Sequence, residues 1–248
     1  MTGEIEIYTT PDDLARGAAG RIASLLAESV HARKRAMIAL SGGGTPGHVY
    51  RALASDSLRP GVPWESVHVF WGDERCVLPD HPESNFRMAN ESLLSRIKIP
   101  ADNVHRILGE KNPQDAARHY DEELWRTFLV DGLELPKFDV MLLGLGDDGH
   151  TASLFPGTPA TEEQRRLAIA VRLKGQETAR ITLTFPVINN SRHVLFLVSG
   201  KGKSSILAEV LQGSGTILPA QLVSPVDGEL RWLVDQDAAS QIQPVPQR

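Results

Sequence analysis

The sequence is short of cysteine, since its 248 residues include only Cys76. A single cysteine excludes an intramolecular disulfide and any zinc site built from several thiolates. Long apolar stretches are missing too, so no segment is predicted to span a membrane, and the first residues lack the basic and apolar regions of a secretory signal. We therefore expect a cytoplasmic protein that has no membrane partner.

Positive charge is also scarce. The 26 lysines and arginines are outnumbered by 31 acidic residues, which gives a formal net charge of −5. This balance argues against a nucleic-acid partner, although it leaves room for a local basic pocket. The motifs H-E-x-x-H and G-x-S-x-G are absent as well. Metal-dependent and serine-nucleophile hydrolysis are therefore disfavoured.

What the sequence does contain is a set of short apolar segments without alternation, each followed by a polar loop. Such segments are typical of strands buried on both faces of a parallel sheet. The four clearest are residues 36–40, 67–71, 138–143 and 193–198. We predict an α/β fold with one open, mostly parallel sheet and helices on both faces, of the Rossmann-like type. The chain is predicted to form a single domain, 1–248, with a flexible tail from about residue 241.

Several weaker patterns fill the remainder of this fold. Apolar residues at helical spacing predict a helix over residues 11–31 and another from residue 112 to about Val130. Residues 103–107 are predicted to form a short strand, and residues 230–234 a strand at the edge of the sheet. These elements are expected to be scaffold.

The loop after residues 138–143 is where the sequence points most directly to chemistry. Residues 144–150 contain three glycines together with Asp147, Asp148 and His150. Open α/β sheets bind ligands just beyond the carboxyl ends of their strands, where this loop lies. Two alternatives compete: a dinucleotide site, which the two carboxylates would repel, and a capped turn in which His150 is simply a satisfied polar residue.

The loop at residues 41–47 combines four glycines with the start of a helix. Gly43, Gly44 and Thr45 stand where backbone N–H groups and a helix N-terminus can hold an anion. Pro46 removes one amide, so a single phosphate suits the loop better than a pyrophosphate. The alternative is an ordinary strand-to-helix turn.

Two further strand ends carry basic residues. Asp73, Glu74 and Arg75 follow residues 67–71, and Lys203 follows residues 193–198. Arginine binds phosphate well because its planar group donates two parallel hydrogen bonds, although an ion pair within the loop is the alternative. Since the carboxyl ends of parallel strands share one edge, these groups should converge with the histidine loop. Together they predict a small phosphorylated substrate.

These motifs resemble the 6-phosphogluconolactonase family, which is related in fold to glucosamine-6-phosphate deaminase and ribose-5-phosphate isomerase. The resemblance spans nearly the whole chain. It rests on residues 41–46, 71–75, 84–85, 144–156, 180–184, 202–203 and 218–220. It implies hydrolysis of 6-phospho-D-glucono-1,5-lactone to 6-phosphogluconate in the oxidative pentose phosphate pathway, without a cofactor.

The same resemblance implies roles for individual residues. His150 corresponds to the catalytic histidine, which would activate water as a general base, and Asp148 to the acid of the same motif. The phosphate and the rest of the substrate would be held by Gly43, Gly44, Thr45, Asp73, Arg75, Arg180 and Lys203. The family often has serine where this chain has Gly44, which removes one hydroxyl contact.

Two other functions stay open at this point. A glucosamine-6-phosphate deaminase or aldose–ketose isomerase would resemble the chain through the same D-G-H motif, but those enzymes continue into a segment with a further glutamate. Here no acid follows His150 until Glu162. A non-enzymatic sugar-phosphate sensor is the second alternative. For assembly, we expect a monomer or a weak homodimer.

Overall fold

The computed structural model describes residues 3–128, 135–213 and 215–243. Nine strands are present in this part of the chain. They are β1 (Glu4–Tyr8), β2 (Ala36–Leu40), β3 (Val67–Trp71), β4 (Asp73–Arg75), β5 (Val140–Leu143), β6 (Ala168–Val171), β7 (Arg180–Leu183), β8 (His193–Val198) and β9 (Glu229–Asp235). Six of them form one parallel sheet in the order β1-β9-β8-β5-β2-β3, and the other three form a small antiparallel sheet in the order β4-β7-β6.

The large sheet confirms the predicted mostly parallel α/β architecture. Strands β2 and β5 are buried along their whole length, as expected for apolar segments covered on both faces. The four strands that carry the polar loops, β8, β5, β2 and β3, are neighbours in the sheet. Their loops therefore leave the sheet side by side.

One strand differs from its predicted position. Residues 230–234 were expected at an edge, but β9 pairs with β8 on one side and with β1 on the other. The expectation was wrong because β1, from the start of the chain, pairs with β9, and no pattern local to residues 230–234 indicates this partner. The Arg231 guanidinium also lies 2.5 Å from the Glu4 carboxylate on β1. The true edges are β1 and β3.

Six helices accompany the strands in the described residues. They are α1 (Pro11–Arg33), α2 (Gly44–Leu53), α3 (Asn85–Ser92), α4 (Pro113–Phe128), α5 (Phe185–Asn189) and α6 (Ser204–Gln212). The Thr10 side chain caps α1 by accepting the Asp13 N–H at 3.1 Å. The predicted end of α4 at Val130 lies outside the described residues, as do residues 244–248 of the predicted tail. Of the strand expected at residues 103–107, only a single bridge between Val104 and Val69 is formed.

Two buried tyrosines fix the strand ends from which the polar loops leave. The Tyr50 hydroxyl of α2 accepts the Ser41 N–H at 2.9 Å and donates to the Ser41 carbonyl at 2.8 Å. The Tyr120 hydroxyl of α4 does the same for Trp71, at 2.9 and 2.8 Å. Both side chains are fully buried. These contacts satisfy backbone groups that the ladders no longer pair, and they hold the start of each loop in place.

Among the described helices, none combines the length and the apolar character that crossing a membrane requires.

Candidate active site

A cavity of about 270 Å³ lies at the carboxyl ends of the parallel strands. It brings together loops that are far apart in the sequence, at the edge where they were predicted to meet. Of the predicted site residues, the cavity is lined by Gly43, Asp73, Arg75, His150, Arg180 and Lys203. The other three predicted residues do not line the cavity themselves. Asp148 contacts the His150 ring, and Gly44 and Thr45 form the first turn of α2, directly after Gly43.

The histidine loop is a tight turn that positions the imidazole. The Asp148 carboxylate accepts a hydrogen bond from the His150 backbone N–H at 3.1 Å and lies 2.5 Å from His150 Nδ1. Gly149 has a φ of +78°, a conformation that favours glycine. A Cβ on Gly146 would come within 2.0 Å of the imidazole. Both glycines are therefore needed for the ring to occupy this place.

The contact with Asp148 determines which ring nitrogen is available. When Nδ1–H donates to a carboxylate, the neutral ring carries its lone pair on Nε2. Partial desolvation acts to raise the pKa of the Asp148 carboxyl, but the hydrogen bonds from His150 outweigh it and place the pKa below its usual range. Asp148 is thus ionised at neutral pH. The contacts of the capped turn considered as an alternative are present, and the same carboxylate that shapes the turn also binds the ring.

Phe155 links the histidine to the basic part of the cavity. Its ring centroid lies 4.1 Å from that of His150, and the Arg180 guanidinium lies 5.4 Å from the same ring. Phe155 is buried and can shift little. The imidazole and the guanidinium are therefore held against one rigid surface.

Arg75 and Arg180 face each other across the small sheet, where β4 pairs with β7. Within the described ranges neither guanidinium forms an ion pair with a carboxylate. Among the described residues the Arg75 side chain donates only to the Glu83 carbonyl, at 2.7 Å, and its Nε is buried without a partner. Desolvation, followed by the positive charge of Arg75, lowers the pKa of Arg180. The negative charges of Asp73 and Glu83 act on the Arg180 pKa in the opposite direction, but neither carboxylate binds the guanidinium. Two facing cations without an ion-pair partner in the described residues form a site that favours an anion.

The ion pair considered as an alternative role for Arg75 is not formed, because Glu74 is used elsewhere. The buried Glu74 carboxylate accepts backbone N–H groups from Arg75, Asn85 and Phe86 at 2.7 to 2.8 Å. Burial raises the pKa of Glu74, while these three bonds act in the opposite direction. Glu74 therefore anchors the start of α3 and leaves the Arg75 side chain free of it.

Asp73 is buried at the wall of the cavity with both carboxylate oxygens engaged. Ser153 donates to Oδ2 at 2.7 Å, and the Asn85 amide donates to Oδ1 at 3.2 Å. The backbone N–H of Ser153 in turn donates to the Thr182 hydroxyl at 3.1 Å. Sequence reasoning did not assign Ser153, Asn85 or Thr182 to the site. All three lie in segments that carry the family resemblance, but only their hydrogen bonds around Asp73 show what they do.

The glycine loop presents unpaired amides toward the cavity end of α2. Gly43 has a φ of +107° and precedes the helix without a side-chain cap. Among the described residues the amides of Gly43, Gly44 and Thr45 donate no hydrogen bond within the chain. Unsatisfied amides at a helix N-terminus attract negative charge. The predicted anion cradle thus has the required backbone, with Asn85 packed so closely on Gly42 that a Cβ there would clash at 1.9 Å.

Lys203 differs from the two arginines because it already has a partner. Its Nζ lies 2.5 Å from Asp147 Oδ1, and Asp147 also lines the cavity. The Asp147 side chain is 86% exposed and that of Lys203 is 30% exposed, so solvent reaches this pair. In the described part of the chain, no group of three His, Cys, Asp or Glu side chains is placed to hold a metal ion.

Comparison with known proteins agrees with this arrangement. The family model described as glucosamine-6-phosphate isomerases/6-phosphogluconolactonase matches residues 9–232. A 6-phosphogluconolactonase from Synechocystis sp. is 41% identical over 247 residues, covering 98% of this chain and 100% of the relative. The crystal structure of a 6-phosphogluconolactonase from Thermotoga maritima is 32% identical with a TM-score of 0.79, covering 94% of this chain and 99% of that one. The structure of a 6-phosphogluconolactonase from Trypanosoma cruzi is 29% identical with a TM-score of 0.84, covering 98% of this chain and 97% of that one. The chain therefore belongs to the family of glucosamine-6-phosphate isomerases and 6-phosphogluconolactonases.

Proposed function

We propose that this protein is a 6-phosphogluconolactonase, a hydrolase that opens 6-phospho-D-glucono-1,5-lactone to 6-phosphogluconate in the pentose phosphate pathway. Relatives and structures that match over nearly their full length are named for this activity. The observation that carries the proposal is the cavity itself. It holds an aspartate-bound imidazole and two arginines that form no ion pair with any carboxylate in the part of the chain that the structure describes.

The arginines and the α2 N-terminus would hold the phosphate. Arg75 and Arg180 supply two adjacent guanidinium groups, Lys203 a third cation, and Gly43, Gly44 and Thr45 the backbone donors. Clamping the phosphate fixes the ester carbon relative to His150, which converts a bimolecular attack into a nearly intramolecular one. Asp73, tied to Ser153 and Asn85, would face the sugar hydroxyls as an acceptor.

His150 would then act as a general base. Its Nε2 removes a proton from water while the water oxygen bonds to C1, and the carbonyl oxygen takes the negative charge. When the tetrahedral intermediate collapses, the C1–ring oxygen bond breaks and His150 returns the proton to the departing oxygen. Asp148 holds the ring through Nδ1 and stabilises the imidazolium that forms in between. Such catalysis contributes roughly 10² to 10⁴ in rate.

Replacing His150 with asparagine tests this role, because an amide can keep a hydrogen bond to Asp148 but cannot act as the base. We expect lactone hydrolysis to fall to nearly the spontaneous rate, measured on freshly generated lactone, while 6-phosphogluconate still binds. If the variant kept most of its activity, His150 would not be the base.

A coupled assay on glucosamine 6-phosphate addresses the other enzyme class. A deaminase is disfavoured because the carboxylates lining the cavity in the described part of the chain are Asp73 and Asp147, and the segment after His150 supplies none. Ammonia release from glucosamine 6-phosphate at a rate comparable with lactone hydrolysis would favour that class instead. Binding of phosphosugars without turnover of either compound would favour a sensor.

A further inference from the structure

The three cationic side chains that line the cavity differ in whether they already form an ion pair. Arg75 and Arg180 have no carboxylate counterion within the described ranges, whereas Lys203 is paired with Asp147 at 2.5 Å. Any anion that reaches Lys203 must therefore displace a carboxylate that is already bound. This competition is built into the loop that also carries the catalytic histidine, since Asp147 stands three residues before His150.

The position of Asp147 is not explained by folding. Its side chain is 86% exposed and, among the described residues, binds only Lys203, so it buries little surface and caps none of the helices described above. An exposed ion pair of this kind contributes little to stability. Yet the Asp147 carboxylate borders a cavity that collects cations, where a negative charge opposes binding of a phosphate. The effect of this residue should therefore be on ligands.

Substrate and product differ in charge in a way that this carboxylate can sense. The lactone carries its charge on the phosphate alone, whereas hydrolysis creates a second anion, the C1 carboxylate. In the proposed reaction this carboxylate forms next to His150, and His150 belongs to the same cavity-lining loop as Asp147. A fixed negative charge repels each ligand in proportion to the ligand's own charge, so the product is disfavoured more than the substrate.

We propose that Asp147 is a specificity-determining residue that weakens anion binding by occupying Lys203 and, beyond this, favours release of the more highly charged product. The second part rests on the proposed lactonase function, while the first part does not. Asp147 contributes no proton transfer in this scheme. It sets the affinity for phosphate and the ratio of product to substrate affinity.

The test is Asp147→Asn, with Asp227→Asn as the matched control. Both changes remove one exposed carboxylate, but Asp227 precedes the amino end of β9, whereas the cavity lies at the carboxyl ends of the strands. Binding of inorganic phosphate is measured by calorimetry, and inhibition by 6-phosphogluconate is measured in the lactonase assay. In Asp147→Asn we expect the Kd for phosphate to fall roughly threefold and the inhibition constant of 6-phosphogluconate to fall roughly tenfold. Asp227→Asn should match the wild type.

Several outcomes decide between the parts of the proposal. An unchanged or higher Kd for phosphate in Asp147→Asn overturns it entirely, whereas equal gains for phosphate and 6-phosphogluconate overturn product release alone. In a Lys203→Met background, the gain for inorganic phosphate should largely disappear; a gain of the same size there would show that the ion pair is not responsible. If the wild type hydrolysed no lactone but the phosphate result held, the lactonase function would fail and the counterion role would stand.

Discussion

At the scale of single residues, the site depends on how one carboxylate and two glycines restrict an imidazole. Asp148 binds both the backbone N–H and Nδ1 of His150, which joins the shape of the turn to the orientation of the ring. Gly146 leaves the space that the ring occupies. A side chain on Gly146 would displace the imidazole before it affected the fold, because the clash is with the ring and not with the sheet.

Asp148→Asn should lower kcat while leaving KM close to that of the wild type. The amide can still shape the turn, but it no longer carries the charge that stabilises an imidazolium. We expect kcat to fall by roughly 10² to 10⁴, the contribution of general-base catalysis by the oriented histidine. Steady-state kinetics of lactone hydrolysis measure both constants.

The matched control for this variant is Asp102→Asn, which removes an exposed acid from a turn that precedes Val104. Its kinetics should be those of the wild type. Asp148→Glu offers a further check, since a longer carboxylate that restores part of kcat would support the role of the charge. A kcat for Asp148→Asn equal to that of the wild type would assign Asp148 to the turn alone.

At the scale of elements, the small antiparallel sheet is what makes the site basic. Sequence reasoning placed Asp73, Glu74 and Arg75 in a loop, because three residues are too few to show alternation. The structure pairs them with β7, so that Arg75 and Arg180 lie opposite each other although they are far apart in the chain. Polar and apolar side chains alternate over residues 180–184, which predicts a strand, but no local pattern indicates the partner of such a strand.

This cross-strand pair predicts opposite effects on stability and on binding. Like charges directly opposite each other in a sheet are destabilising, and burial also disfavours the Arg180 charge. In the described part of the chain Arg180 has no side-chain hydrogen bond to lose, and its contact with the Phe155 ring offsets only part of this cost. Arg180→Gln should therefore raise the free energy of unfolding, by up to about 1 kcal/mol without ligand. The same change should raise KM at least about tenfold, because a charged contact to phosphate is lost.

Thermal unfolding with and without inorganic phosphate measures the first effect. Phosphate should raise the Tm of the wild type, and it should raise that of Arg180→Gln much less. Arg118→Gln, on the exposed face of α4, serves as the control and should respond to phosphate as the wild type does. Equal stabilisation of Arg180→Gln and the wild type would remove Arg180 from the phosphate site.

At the scale of the whole molecule, the sequence predicted the large sheet better than the site. Apolar segments such as residues 36–40 identify buried strands, and the carboxyl ends of parallel strands must share an edge, so convergence of the loops could be inferred. The hydrogen-bond and ion-pair partners of individual side chains could not be inferred in this way. Nothing local to Lys203 indicates that Asp147 neutralises it, and Ser153 gives no sign of its bond to Asp73. Assignment of the whole chain to one domain stays a prediction.

A buried polar chain at the β3 edge of the sheet links stability to pH. His68 Nδ1 lies 3.0 Å from His105 Nε2, and His105 Nδ1 lies 2.7 Å from Glu123. Burial, followed by the charges of His105 and Arg35, lowers the pKa of His68 to about 4. Burial also lowers the pKa of His105. Both rings are therefore neutral in the folded protein at neutral pH.

The sign of the resulting pH dependence follows from the unfolded state. There a histidine titrates at about 6.5, so between about pH 4 and 6.5 the unfolded chain binds more protons than the folded one. The stabilisation that comes from these two histidines should be fully present above pH 6.5 and should be lost as the pH falls toward 4. For His68 we expect a loss of about 1 to 2 kcal/mol, a value discounted because solvent reaches the half-buried ring.

His68→Gln isolates this contribution, since the amide can donate to His105 but does not titrate in this range. Urea unfolding at pH 7 and pH 4.5 should show a smaller difference in the free energy of unfolding for His68→Gln than for the wild type. His119→Gln, which changes an exposed histidine on α4, should keep the wild-type difference. If His68→Gln and His119→Gln lost the same stability on acidification, the pH dependence would arise elsewhere, and the buried chain from β3 to α4 would only support packing.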